Sequence, residues 1–241
     1  MIQGIHRFGL ALFVVFAVAG LASVAAAQER FEVTSIKAVR PTLVATIGAL
    51  EKRDVAGAKE AFEAYDSAWN GIEVYVNVRS RAMYDLLEHQ FQARIEKALA
   101  GPNTDIPVVL ADAKAMLGKF DEMVAMVAAM PPLNPLYDDV ARLRIVRAHL
   151  REVNPALKAG NFAKARKSFQ AFDDNWDSIE DLIKARSADA YVAIEKTMIE
   201  IEQALMPDKP DVNKVSAMVN EIMRLYNAQL AEIVKEARAR G

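Results

Sequence analysis

Two sets of oxygen-bearing side chains recur at one spacing: Glu73, Tyr84 and Glu88, then Glu180, Tyr191 and Glu195. Two carboxylates and a phenol are hard donors, and gathered on one point they suit an oxygen-seeking cation such as Fe³⁺. Tyr84 and Glu88 are four residues apart and share a helix face, as do Tyr191 and Glu195. Glu73 and Glu180 join them only if the chain folds back. On one straight helix Glu73 and Glu88 would lie about 22 Å apart. A purely structural role competes with this chemistry. In it Glu73 and Glu180 edge a packed seam, Arg79 or Arg186 pins a hairpin by pairing with a carboxylate, and Tyr84 and Tyr191 are core residues with a hydroxyl at the rim.

These residues belong to a phrase written twice. Phe62–Glu88 and Phe169–Glu195 share Trp69/Trp176, Ile72/Ile179, Glu73/Glu180, Arg79/Arg186, Ser80/Ser187, Tyr84/Tyr191 and Glu88/Glu195 at a single offset. Past Glu88 the copies slip by a residue or two. They rejoin at Ile95–Leu99 and Ile201–Leu205, and a proline and an aspartate follow in each, Pro102 with Asp105 and Pro207 with Asp211. A period this long is a domain-sized duplication, not a solenoid repeat.

The copies read as helix. Val55, Ala58, Phe62, Tyr65, Trp69, Ile72 and Val76 fall three and four apart, as do Phe162, Ala165, Phe169, Phe172, Trp176, Ile179 and Ile183. A second stripe follows at Tyr191, Ile194, Met198, Ile201 and Leu205, matched by Tyr84, Leu87, Phe91 and Ile95. Helices are expected before these, near 35–52 and 137–159, and after them, capped by Asp105 and Asp211 and ending near Met130 and Arg240. Met130–Pro135 reads as the linker. The first seam should place an apolar residue at 79 and meets Arg79, and the second meets Arg186. Ser80 and Ser187 are then candidate N-caps of a returning helix. Neither junction holds Pro or Gly, so a hairpin and one long helix over 54–100 and 161–205 both stay open.

The expected fold class is all-α, two tandem duplicated four-helix, bundle-like units at 28–131 and 132–241. Before them, residues 1–27 read as a signal peptide, with an apolar run over Leu10–Val24 and a small-residue Ala25–Ala27 end. That predicts a periplasmic location. The chain has no Cys, which excludes disulfides, thiolate chemistry and lipid attachment through a lipobox cysteine. The net charge of −2, with both signs interspersed, gives no stripe for nucleic acid. No Ser/His/Asp arrangement, phosphate loop or His-Glu-x-x-His is present, so no enzymatic activity is expected.

Trp69, Ile72, Glu73, Arg79, Ser80, Tyr84 and Glu88, with their second set Trp176, Ile179, Glu180, Arg186, Ser187, Tyr191 and Glu195, resemble the extracytoplasmic helical region of bacterial high-affinity iron permeases. More distantly the chain is similar to imelysin-like proteins of iron uptake, whose His-x-x-Glu motif fits His149-Leu150-Arg151-Glu152. The resemblance implies iron, as Fe³⁺ or Fe²⁺, held by Glu73, Tyr84, Glu88, Glu180, Tyr191 and Glu195, and a membrane iron permease as partner. The Arg-Glu-x-x-Glu membrane helices of the permeases are missing, so it implies binding or presenting iron rather than transporting it. The alternative is a metal-free interaction, adaptor or sensor-like bundle.

Overall fold

A computed structural model describes residues 29–240, and all of their regular structure is helical. The signal segment 1–27 lies outside the described residues. The first half contains α1 (Phe31–Glu51), α2 (Val55–Arg79), a rod made of α3 (Arg81–Asp85), a π-helical segment (Leu86–Gln92) and α4 (Ala93–Ala100), and α5 (Ile106–Ala129). The second half contains α6 (Leu136–Lys158), α7 (Phe162–Trp176) continued by short α8 (Glu180–Lys184), α9 (Ala188–Leu205) and α10 (Val212–Ala239). Among the described residues no helix is long and apolar enough to cross a membrane.

Local chemistry sets the boundaries. Asp105 and Asp211 accept hydrogen bonds from the amides of Val108 and Lys214. Asp54 and Asn161 cap α2 and α7 in the same way. Before those caps, α1 and α6 each end in a Schellman turn: Asp54 N–H reaches Ala49 O and Asn161 N–H reaches Ala156 O. The turning residue is left-handed in both, Gly160 at φ 69° and Arg53 at φ 60°.

The chain folds back where the apolar seam meets a basic residue. Ser80 is extended at φ −153°, ψ 96°, and its hydroxyl accepts from Met83 N–H. Ser187 repeats this at φ −152°, ψ 98°, accepting from Ala190 N–H. Both hairpins therefore form without Pro or Gly, because a serine cap replaces the helical amide bonding that the turn gives up. Two features differ from the sequence reading. The second seam is broken over Asp177–Ile179, where Ser178 Oγ donates to Asn175 O and Asn175 Nδ2 to Ala171 O, side-chain bonds that compete with the helical ladder. The first returning rod carries the π-helical segment. Glu88 and Glu195 are 107 positions apart but Ile95 and Ile201 only 106. The one additional residue between Glu88 and Ile95 is absorbed as the wider turn, whereas α9 runs as regular helix.

Each half buries an aromatic column. Phe62, Tyr65 and Trp69 pack in sequence against Phe120, and Phe169, Phe172 and Trp176 stack toward Tyr226. Trp69, Tyr65, Phe120, Phe172 and Tyr226 are fully buried. Helix α2 also packs on α6, joining the halves. At Gly71 the two backbones approach so closely that a Cβ would stand 2.6 Å from Ile145 Cγ1. Nearby, Tyr75 donates to Asp138 Oδ1 at 2.7 Å.

Candidate functional site

The hairpins place the tryptophan of one rod beside the acid of the next. Trp69 Nε1 donates to Glu88 Oε2, and Trp176 Nε1 donates to Glu195 Oε1. Tyr84 stacks on Trp69 with ring centres 6.5 Å apart, and Tyr191 on Trp176 at 6.4 Å. Tryptophan, tyrosine and glutamate thus form one corner in each half. Sequence spacing brought Glu88 and Tyr84 together correctly. It gave no indication that the indole would hold the carboxylate, although the nineteen-residue separation recurs.

Glu73 has a different partner. Arg144 of α6 donates to its Oε1 at 2.9 Å, so this acid spans the seam between the halves. Burial raises the pKa of Glu73 above the usual carboxylate range, against the pull of Arg144. Burial also raises Glu88, where the Trp69 bond opposes it and the nearby charge of Glu73 adds to it. Tyr84 is pushed up by burial and then by Glu73 and Glu88, and Tyr191 by burial and then by Glu195 and Glu180. The acids of each predicted set therefore lie within electrostatic reach of its tyrosine. Among the described residues, no three His, Cys, Asp or Glu side chains are grouped as a metal site would require.

The first half adds residues that spacing did not single out. Asp66 Oδ1 accepts from Gln92 Nε2 at 2.7 Å, and the same amide reaches Glu96 Oε1 at 3.1 Å. Gln92 is the last residue of the π-helical segment, and its Oε1 is buried without a partner. The Tyr65 hydroxyl is likewise buried and unpartnered. Its pKa lies well above the ordinary phenol range, chiefly from burial and then from the charges of Glu88, Asp66, Glu73 and Glu96. The second half arranges its hydroxyl otherwise. Phe172 stands where Tyr65 would be, and Tyr226, in the place of Phe120, donates to Leu143 O at 2.6 Å. An unsatisfied buried hydroxyl costs about 1–3 kcal/mol, so the first corner alone carries an unmet polar demand.

The remaining expectations find structural partners. Arg79 donates to both oxygens of Glu32 on α1 and to Pro131 O, so it pins its hairpin to α1 and the linker. Arg186 meets Glu236 of α10 at 3.3 Å. Glu152 of the His-x-x-Glu match accepts from Ser67 at 2.9 Å and pairs with Lys164 at 3.0 Å. His149 is half-buried, with its pKa lowered by burial.

No known protein family, curated protein or solved structure matches the chain.

Proposed function

We propose that this is a non-enzymatic, periplasmic helical protein that binds iron at its first corner and presents it to a membrane iron-uptake component. The buried, unpartnered Tyr65 hydroxyl, which feels the charges of Glu88, Asp66, Glu73 and Glu96, carries this reading. Glu73 and Glu88, whose pKa is raised by burial and by neighbouring acids, are groups that a cation would relieve, and carboxylate with phenol is a hard donor set suited to Fe³⁺. Glu73, Glu88 and Tyr84 would hold the ion, with Asp66 beside them. Glu180, Tyr191 and Glu195 offer the same donor types in the second half. Occupation exchanges the bonds that Arg144 and Trp69 now make for bonds to the ion. The periplasmic location rests on the sequence pattern of residues 1–27, and the permease partner on the resemblance.

A second reading, a metal-free interaction module, is favoured by the protein partners these acids already have: Arg144 on Glu73, and tryptophan on both Glu88 and Glu195. Calorimetry with Fe³⁺, Fe²⁺, Cu²⁺ and Zn²⁺, followed by tryptophan fluorescence, separates the two. Iron binding should weaken tenfold or more in Glu73→Gln/Glu88→Gln, and less in Glu180→Gln/Glu195→Gln. Absence of binding by any cation, or binding indifferent to both double variants, would leave the interaction module.

A further inference from the structure

A different surface carries charge of the opposite sign. Between α6 and α10 lies a cleft of about 470 Å³, lined by Arg144, Arg147, Lys235 and Arg238 with Asn227. Leu230 and Val234 supply its apolar floor, and no carboxylate lines it. The protein's net charge is −2, so the cluster does not follow from a basic composition.

The two inner arginines are incompletely used. Arg147 Nη1 donates to Asn227 Oδ1 at 2.6 Å, and no acid among the described residues forms an ion pair with it. Arg144 gives Nη1 to Glu73. The Nε of each is buried with no acceptor. Burial, then the neighbouring charges of Arg144 and Arg151, lowers the pKa of Arg147. At the outer edge Lys235 stands 3.8 Å from the exposed Glu232, a contact open to water. Arg238, in the last turn of α10, is also what the C-terminal end of a helix attracts. Arg144 and Arg147 stand in the middle of α6, where no such explanation applies.

We propose that this cleft binds a small multivalent oxyanion. Guanidinium groups present planar, paired donors that match carboxylate and phosphoryl oxygens, and the Nη groups of Arg147 and Arg238, with the Lys235 ammonium, have no carboxylate hydrogen-bonded to them among the described residues. The volume falls within the range of small-molecule sites. Arg147 and Arg238 add positive charge that no acid among the described residues pairs, and the apolar floor admits a short carbon chain between two charged ends. Arg144 is shared with Glu73 of the cation reading, but Arg147, Lys235 and Arg238 are not, so this inference stands whether or not that reading does.

The test is calorimetric titration of the metal-free full chain, in low-salt buffer, with inorganic phosphate in one arm and succinate in the other. The expected result is saturable one-to-one binding that weakens as salt is added. Affinity should fall tenfold or more in Arg147→Gln and in Lys235→Ser/Arg238→Ser. The second variant changes only exposed side chains, so it stays informative if the first disturbs folding. Binding of phosphate alone assigns a phosphoryl ligand, and binding of succinate assigns a carboxylate one. Failure of both anions to bind at millimolar concentration, or undiminished binding by the Lys235/Arg238 variant, overturns the proposal.

Discussion

Replacing Arg79 by methionine should cost far more than the same change at Arg186, although the two occupy equivalent places in the repeated phrase. The Arg79 and Glu32 side chains are only 5 % and 4 % exposed, whereas Arg186 and Glu236 are 25 % and 38 % exposed. Arg79→Met leaves Glu32 as a buried charge without a partner, and it removes the donor to Pro131 O. Breaking a buried pair from one side typically costs about 3–5 kcal/mol. The more open Arg186 pair is worth at most about 1 kcal/mol. Replacing both members, as Glu32→Leu/Arg79→Met, removes the stranded charge along with its partner and should recover most of the loss. Urea unfolding of the three variants beside the parent reads all of these values. If Arg79→Met costs no more than Arg186→Met, or the double replacement is as damaging as the single one, burial does not govern the pair and the reasoning fails.

Arg53 occupies a left-handed position that Gly160 fills in the second half. Such a conformation costs a side-chain-bearing residue about 1–2 kcal/mol, part of which glycine gives back in unfolded-state entropy. Arg53→Gly should therefore raise stability by about 0.5–1 kcal/mol and Gly160→Arg should lower it, both read by thermal melts. Ser80→Ala and Ser187→Ala remove the hydroxyls that cap the returning rods, and each should cost about 0.5–2 kcal/mol in the same assay. Glu88 has its folded pKa raised, so the folded chain binds protons more tightly than the unfolded one just above the ordinary carboxylate range. Its contribution to stability grows as pH falls through that window. His149, lowered by burial, acts in the opposite sense below its ordinary pKa. The difference in melting temperature between the parent and Glu88→Gln, followed from pH 7 to 5, cancels the histidine and should move in the parent's favour as pH falls. Deleting His89 should restore a regular helix in place of the π-helical segment. Helical circular dichroism should persist and the Gln92–Asp66 contact, followed by amide NMR, should disappear.

The elements were legible because their signals are local. The apolar stripes, the aspartate caps and the Met130–Pro135 linker follow from spacing and side-chain chemistry, and they place the helices within a few residues of where they lie. The reversal at Ser80 was legible for a subtler reason: a seam that should continue met Arg79 instead. The slip after Glu88 was also visible in the sequence, yet only the backbone shows it taken up as a wider turn. Partnerships across the chain were not legible. Nothing near Arg79 points to Glu32, and nothing near Glu73 points to Arg144, because each pair is made by packing between rods far apart in order. Tyr65 fits its apolar stripe as well as Phe172 does, so its unmet hydroxyl emerges only once its surroundings are known.

Gly71 has a mechanical meaning. With Ile145 filling the space where its side chain would be, α2 and α6 are wedged backbone to backbone, and the seam is fastened on one side by Arg144 to Glu73 and Tyr75 to Asp138 and on the other by Ser67 to Glu152. A jaw-like closing of one half on the other would have to slide that wedge apart. On the proposed iron-binding reading, capture and release proceed through side-chain rearrangement with the two halves held in place, and the small-angle scattering profile should be the same with and without iron.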